Sequence, residues 1–464
     1  MFNPRPMQKE VLRYRGGKMG VSAVPGSGKT QTLSYLAAQL IAGQRIDDDQ
    51  EVLIVTLVNS AVDNFAARVE GFIKQRGLLP GLGYRVRTLH GLANDIVRER
   101  PDLAGLGNRF IIVDESESRD ILENAAIAWM RSNPGFIAEY TAPEFDPFKD
   151  FRIQRDWNKL IVDIAGAFIR QAKDLQLTPE DIRQRLDNLK TSHPLLEMGC
   201  AIYADYQRGL NYRGAADFDD LIRLALQALK SDPDFLERLH RRWPFILEDE
   251  AQDSSRLQEE ILRLLVGSGG NWVRVGDPNQ AIYETFTTAS PQFLIDFMQE
   301  AGVKCQKLPN SGRSTRSIIA LANHLINWSM KEHPNPALRS ALTTPLIEPT
   351  PYGDPQQNPL DQPGSIRLIK TRFDPQAEIS AVVRSLQNWL PDHQDATAAV
   401  LVPRNERGTK MVEALKQVGI EYVELLRSSL STRETAGLLA TILRALADPS
   451  SPVRLSQFYK HLRA

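Results

Sequence analysis

Short apolar runs alternate with amphipathic stretches along the first 90 residues of the chain. The runs at residues 19–24, 51–56 and 84–90 have the length of buried strands, whereas the stretches at 30–42 and 59–75 are long enough for helices. Strands that alternate with helices in this way favour a parallel sheet with helices on its faces.

The pattern changes to mostly helix between residues 91 and 212, where apolar residues recur at spacings of three and four. Apolar runs of strand length return in RWPFILEDE at 242–250 and NWVRVGD at 271–277. We therefore interpret the helical block as an insertion between strands of one sheet. The composition of the proline-rich, polar segment at 332–364 is typical of a long loop.

Three further apolar runs, at residues 366–370, 398–403 and 420–425, are separated by helical stretches. This repeated alternation predicts a second α/β unit. The last stretch, at 432–462, predicts two helices on either side of a break at DPSSP.

Composition narrows the class of protein. The 464 residues are 42% hydrophobic and 24% charged, which is ordinary for a globular protein, and the net charge of −1 requires any nucleic-acid surface to be a local patch. The two cysteines, Cys200 and Cys305, cannot form a metal cluster alone and are expected to be small core residues. Without a signal peptide or a membrane-length apolar run, we expect a soluble, cytoplasmic protein with no membrane partner.

A glycine-rich loop, AVPGSGKT at residues 23–30, lies between a predicted strand and a predicted helix. Its backbone N–H groups can surround phosphate oxygens, aided by the partial positive charge of the helix N-terminus. Lys29 would reach the β- and γ-phosphates, and Thr30 would place its hydroxyl on Mg²⁺. The alternative is a glycine turn that precedes a helix. The predicted nucleotide-binding residues are Ala23, Val24, Pro25, Gly26, Ser27, Gly28, Lys29 and Thr30.

Two acid pairs follow apolar runs and compete for the role of magnesium ligand and general base. Asp249–Glu250 is followed by a helix and then by another strand that ends in VGDPNQAIY, so Gln280 would follow the neighbouring strand end. In that arrangement Asp249 holds Mg²⁺, Glu250 deprotonates the attacking water and Gln280 senses the γ-phosphate. Asp114–Glu115 is followed by an acid-led helical stretch, so we interpret it as a strand-to-helix junction with capping acids.

The order of motifs along the chain resembles that of the UvrD/Rep-type superfamily 1 DNA helicases. The motifs are AVPGSGKT, TLVNSAVDNFAARV, VRTLHGLANDIVRE, DFDDLIRLAL, FILEDEAQD, VGDPNQAIY and NSGRSTRSIIALAN. The resemblance implies an ATP-driven motor that translocates on single-stranded DNA or at junctions of single and double strands, with ATP and Mg²⁺ as its cofactors.

The resemblance also implies an α/β fold: a RecA-like P-loop NTPase parallel sheet with a helical insertion, followed by a second, incomplete RecA-like α/β domain. The expected division of the chain is as follows: residues 1–90 and 213–305 form the first RecA-like ATP-binding domain, 91–212 the helical insertion, 306–430 the partial second RecA-like domain, and 431–464 the start of a fourth, helical subdomain.

Three further nucleotide-related roles, those of Gln8, Arg313 and Gln252, follow from the resemblance alone, and the resemblance also supports the role of Gln280. Gln8, in NPRPMQ, would contact the adenine, and Arg313 would reach the γ-phosphate from the second motor domain. Gln280 would contact the γ-phosphate, and Gln252 is similar to a glutamine that links ATP state to DNA.

The DNA-binding motifs of the family also have counterparts in this chain. The resemblance assigns Thr56, Asn59, Thr88 and His90 to the motifs that contact the strand. Phe286 is the candidate for stacking on a base, worth about 1–3 kcal/mol in such proteins. The alternative for Phe286 is a core phenylalanine in a loop.

The chain departs from the family pattern in two places. Residues 310–314 read Asn-Ser-Gly-Arg-Ser where the family has Asn-Tyr-Arg-Ser, so the tyrosine that stacks on adenine is missing. The chain also ends at LSQFYKHLRA, before two further motifs, one of which supplies a second arginine finger. We therefore expect an incomplete helicase motor, with a separate polypeptide that supplies the remainder. The alternatives are an ATP-gated single-strand binder or regulatory protein without motor activity, and a P-loop NTPase unrelated to nucleic acid.

Overall fold

The computed structural model describes residues 2–140, 151–281, 289–362, 364, 366–424, 439, 441–443 and 446–447. It divides into two compact units, Met1–Ile366 and Arg367–Ala464, which are described separately below. No described helix is both long and apolar enough to span a membrane.

The strands of the first unit are mostly short. In chain order they are β1 (Lys18–Ala23), β2 (Val52–Thr56), β3 (Tyr84–Thr88), β4 (Ile111–Ile112), β5 (Ala215–Ala216), β6 (Phe245–Glu248), β7 (Asn271–Gly276), β8 (Lys304–Leu308), β9 (Asn310–Ser311) and β10 (Glu348–Pro349).

The helices surround these strands and continue into the second unit. In chain order they are α1 (Pro6–Leu12), α2 (Lys29–Ala42), α3 (Asn59–Lys74), α4 (Leu89–Glu99), α5 (Glu115–Ser132), α6 (Phe151–Asp174), α7 (Pro179–Asp187), α8 (Pro194–Tyr212), α9 (Phe218–Ser231), α10 (Pro233–Arg242), α11 (Arg256–Val266), α12 (Gln292–Gln299), α13 (Arg316–Glu332), α14 (Pro375–Trp389) and α15 (Asn405–Gln417).

Six parallel strands form the central sheet in the order β3-β2-β6-β7-β1-β8. Side chains of β2 alternate between its two faces: Leu53 and Val55 pack with α4, α9 and α11, whereas Val52 and Ile54 pack with α2 and α3. Both faces of β2 are therefore buried, which explains why four of its five residues are apolar. The predicted α/β fold with a parallel sheet is confirmed.

The helical insertion has a hydrophobic core of its own. It is built by α5, α6, α7 and α8, and its buried residues include Val113, Ile121, Ile161, Ala165, Ile202, Tyr203 and Leu210. Strands β4 and β5 pair in parallel where the insertion begins and ends. The expected division begins the insertion at residue 91, within α4. In the structure Leu92 and Ile96 of α4 are buried in the core of the sheet, so this helix packs with the sheet and not with the insertion.

The two cysteines have different environments. Cys200 is buried in the core of the insertion, as expected. Cys305 is exposed on β8, the last strand of the central sheet, where its thiol donates to the carbonyl of Met298 at 2.9 Å. The expectation of a core position is therefore wrong for Cys305, since a strand at the sheet edge leaves one side open.

The second unit contains helices but not the predicted strands. Helices α14 and α15 pack through Ile379, Val383, Met411 and Leu415. No strand is formed among the described residues 366–424, so the apolar runs at 366–370, 398–403 and 420–425 do not form the strands predicted from them, as far as they are described.

Strand formation requires a partner that satisfies the backbone N–H and C=O groups. In the second unit the apolar side chains of these runs stay largely exposed, as at Leu368, Leu401 and Val423. Most of residues 431–464, the predicted helical subdomain, lie outside the described residues, and that assignment stays a prediction.

Candidate functional site

The glycine-rich loop connects β1 to α2 at the carboxyl edge of the central sheet. Gly26 and Gly28 adopt left-handed backbone conformations, with φ of 75° and 83°, which side chains disfavour. Helix α2 begins at Lys29 directly after the loop, so its unpaired N–H groups and partial positive charge face the same point. The loop therefore has the local structure of a phosphate-binding site.

Two carboxylates after β6 contact the first residues of α2. The Thr30 hydroxyl donates to Asp249 Oδ2 at 3.1 Å, and Lys29 Nζ lies 3.1 Å from Glu250 Oε2. Strand β6 thus brings Asp249 and Glu250 to the phosphate loop, as the sequence predicts. A hydroxyl and a carboxylate are oxygen ligands of the kind that Mg²⁺ binds, so these residues fit that ion.

Acidic groups outnumber basic ones around the Lys29 ammonium. Burial raises the pKa of Asp249 to about 6, and the charge of Glu250 adds to this effect. Burial and the charge of Glu250 likewise raise the pKa of Asp253 to about 6. Burial also raises the pKa of Asp277. A bound divalent cation would relieve this concentration of negative charge.

Gln252 links the ends of two neighbouring strands. Its amide nitrogen donates to Glu250 Oε2 at 2.9 Å, and its carbonyl oxygen accepts from the backbone N–H of Asp277 at 3.0 Å. Gln280 Nε2 in turn donates to Asp277 Oδ2 at 2.7 Å. A continuous set of hydrogen bonds therefore joins Gln280, which follows β7, to Glu250, which follows β6.

Gln8 and Arg313 lie beside different residues of the phosphate loop. Gln8 is buried, donates to the carbonyl of Ser27 at 2.9 Å and accepts from the backbone N–H of Arg5 at 2.8 Å. A Cβ built on Gly26 would lie only 2.6 Å from Cβ of Arg313, whose side chain is exposed. Both residues predicted from the resemblance are thus beside the loop.

Four of the five predicted DNA-contact residues lie together at the same edge of the sheet. Thr56 and Thr88 are the last residues of β2 and β3 and are paired in register. Asn59 opens α3, and His90 lies in the first turn of α4, where burial lowers its pKa. The strand predicted to end at His90 ends at Thr88 instead, because Thr88 caps α4 by accepting from the backbone N–H of Gly91 at 3.1 Å. Phe286 lies outside the described residues.

Asp114 is a helix cap, and this interpretation is confirmed. Its carboxylate accepts from the backbone N–H groups of Ser116 and Glu117, both at 2.8 Å, at the start of α5. The strand before it, β4, pairs with β5 and is not part of the central sheet.

Three residues of the site were not predicted from the sequence. Asp277 and Asp253 follow strand ends, so a search for acids at every strand end would have included them. Arg5 gave no signal, because its ion pair with Asp354 at 2.7 Å joins residues 349 positions apart.

Comparison with known proteins agrees with this geometry. Residues 5–302 match the family described as UvrD/REP helicase N-terminal domain. Similar proteins include the ATP-dependent DNA helicase PcrA of Staphylococcus epidermidis, which is 26% identical over 333 residues, covering 72% of this chain and 41% of the relative.

A second relative is aligned along nearly the whole chain. The ATP-dependent DNA helicase UvrD1 of Mycobacterium tuberculosis is 26% identical over 464 residues, covering 97% of this chain and 53% of the relative. The chain spans about half the length of the curated relatives it matches. Because the family match covers more than half of its residues, the chain belongs to the UvrD/REP helicase family.

Proposed function

We propose that this chain binds and hydrolyses ATP with Mg²⁺, and that hydrolysis drives movement on single-stranded DNA, as in a UvrD/Rep-type helicase. The observation that carries the proposal is the pair of contacts from Thr30 to Asp249 and from Lys29 to Glu250, both at 3.1 Å. They join a phosphate loop to two carboxylates in the arrangement that phosphoryl transfer requires.

Each side chain has a chemical task in this proposal. Lys29 neutralises charge on the β- and γ-phosphates. Glu250 accepts the proton of the water whose oxygen attacks the γ-phosphorus, while the bond from that phosphorus to the β,γ-bridging oxygen breaks and ADP leaves. Thr30 and Asp249 would hold Mg²⁺, which would supply positive charge to stabilise the transferred phosphoryl group. Gln280 contacts the γ-phosphate, and Arg313, which lies beside Gly26, reaches it as well.

The DNA part of the proposal rests on strand order. Strand β2, which ends at Thr56, is hydrogen-bonded to β6, and the backbone N–H of Asp249 donates to the carbonyl of Val55 at 2.9 Å. Single-stranded DNA that contacts Thr56 and Thr88 would therefore lie next to β6, which carries the catalytic carboxylates. This arrangement supports coupling between DNA binding and ATP hydrolysis.

The direct test compares Lys29→Ala with Lys18→Ala in a nucleotide-binding assay with Mg²⁺ and in an ATPase assay with and without single-stranded DNA. Lys18 is the first residue of β1, at the end of the strand opposite the loop, so Lys18→Ala should change neither the affinity for nucleotide nor the ATPase rate. Lys29→Ala should abolish both binding and turnover. Equal behaviour of the two variants would contradict the proposed nucleotide site.

Salt dependence tests the DNA part separately. Binding of a single strand releases counterions, so the logarithm of the DNA-binding constant should fall linearly with the logarithm of salt concentration. An ATPase that is indifferent to DNA and to salt would contradict the DNA proposal. ATP-dependent DNA affinity with negligible turnover would favour the non-motor alternative.

A further inference from the structure

A proline-rich segment, residues 343–358, runs beside the nucleotide site and is called the strap. Asparagine side chains fix its first half. Asn279 donates to the carbonyl of Thr343 and accepts from its backbone N–H, both at 2.7 Å. Asn323 makes the same two bonds with Ile347, at 2.8 and 2.9 Å. The strap is therefore held in a defined position from its start.

The second half of the strap is joined to the segment that carries Gln8. Arg5 donates to both carboxylate oxygens of Asp354, at 2.7 and 3.2 Å, and the two side chains are only 9% and 4% exposed. Burial alone would raise the pKa of Asp354, but the hydrogen bonds from Arg5 and from the backbone N–H of Gln356, together with the charge of Arg5, outweigh it and hold that pKa below its ordinary value. A buried, two-point ion pair of this kind fixes geometry.

The strap also holds the segment on the other side of the phosphate loop. Asn358 donates to the carbonyls of Ser311 and Ser314, at 2.6 and 2.9 Å, and accepts from the backbone N–H of Thr350 at 2.8 Å. Ser311 in turn borders the loop, since its Oγ lies 2.6 Å from a Cβ built on Gly26. Both segments that flank the loop thus depend on the strap.

One aromatic ring projects from this fixed structure into solvent. Tyr352 lies two residues before Asp354 and is fully exposed, at 102% of its reference area. Phe2, the other aromatic residue of segments 2–8, 310–314 and 343–358, packs instead against Tyr35 and Phe72. Tyr352 and Gly353 form a turn closed by the hydrogen bond from the backbone N–H of Asp354 to the carbonyl of Pro351 at 3.2 Å. Residues two positions apart lie within about 7 Å of each other, so the Tyr352 ring can reach a ligand group beside Arg5 and Gln8.

We propose that Tyr352 stacks on the base of a nucleoside triphosphate whose phosphates occupy the loop at residues 23–30. The inference rests on the proposed ATP site and extends it, since it assigns base recognition to the strap. A flat ring exposed on a fixed support loses little conformational entropy on stacking, and a base–aromatic contact is worth about 1–3 kcal/mol.

The experiment measures equilibrium binding of Mg·ATP and of inorganic tripolyphosphate with Mg²⁺ to the full chain. Tyr352→Ala should weaken binding of ATP about 5- to 150-fold and leave binding of tripolyphosphate unchanged, because only ATP has a base. Tyr352→Phe, which keeps the ring, should bind ATP like the original chain. Tyr212→Ala is the matched control, since Tyr212 is 94% exposed on the helical insertion.

Two results would overturn the inference: ATP affinity unchanged in Tyr352→Ala, or an equal loss for ATP and tripolyphosphate. The second would mean that the strap supports the phosphate loop and does not read the base. Lys29→Ala tests the proposed ATP site itself, separately from the role of Tyr352. If that variant keeps its affinity for both ligands, the nucleotide site itself has been assigned wrongly.

Discussion

The backbone at Glu250 has a left-handed conformation, with φ of 55°, which costs a residue with a side chain about 1–3 kcal/mol. Such strain persists only where the surroundings enforce it. Here Lys29 and Gln252 both contact Oε2 of Glu250, at 3.1 and 2.9 Å. The conformation turns this carboxylate toward the phosphate loop, which fits a general base.

Gln252 should control turnover more than binding. Gln252→Ala removes the partner of both Glu250 and the Asp277 backbone, so we expect kcat to fall at least about tenfold while KM for ATP changes little. Steady-state ATPase kinetics measure both constants. Gln227→Ala, on the surface of α9, is the control. An unchanged kcat in Gln252→Ala would show that the amide does not position the base.

The sequence predicts residues whose chemistry follows a local spacing. Lys29 and Thr30 are part of a motif with fixed distances, and Asp249 follows a recognisable apolar strand. Arg5 and Asp354 could not be paired in this way, because chain positions so far apart meet only through the tertiary fold. Contacts of that kind can be identified only from the structure.

At the scale of elements, helix α6 of the insertion is joined to α9 of the sheet core by a buried ion pair. Lys173 Nζ lies 2.5 Å from Asp217 and 3.0 Å from Asp220, and its side chain is only 1% exposed. Tyr206 donates to the same Asp217 carboxylate at 2.6 Å. These contacts satisfy charges that would otherwise be costly to bury.

Loss of this lysine should therefore destabilise the chain. Lys173→Met leaves two buried carboxylates without their cation, and we expect the free energy of unfolding to fall by about 3–5 kcal/mol in urea titrations. Lys230→Met is the matched control, because Lys230 pairs with Glu260 near the surface and should contribute at most about 1 kcal/mol. Similar losses in the two variants would contradict a special role for Lys173.

Elements differ in how well the apolar pattern predicts them. Strands β1, β2, β6 and β7 of the central sheet were predicted well because they are largely buried, whereas the mostly exposed edge strand β8 was not predicted. The pattern failed at 366–370 and 398–403, since an apolar run specifies a strand only when a neighbouring strand completes its hydrogen bonds. Strand pairing is a property of the whole sheet.

At the scale of the molecule, strand order determines which functions become neighbours. In the order β3-β2-β6-β7-β1-β8, strand β2, which ends at the candidate DNA contact Thr56, lies directly beside β6 and its two carboxylates, and β3 lies on the other side of β2. The phosphate loop follows β1, and Gln280 follows β7, at the same edge. Parallel strands make this convergence possible, because all their carboxyl ends point the same way.

The most direct test of the central claim compares Glu250→Gln with Glu115→Gln in an ATPase assay with saturating Mg·ATP and single-stranded DNA. Glu250→Gln should reduce hydrolysis by at least about 100-fold while ATP binding persists, because the amide cannot accept the proton of the attacking water. Glu115→Gln should hydrolyse ATP at close to the original rate, since that residue only opens α5. Full activity in Glu250→Gln together with inactivity in Glu115→Gln would contradict the account.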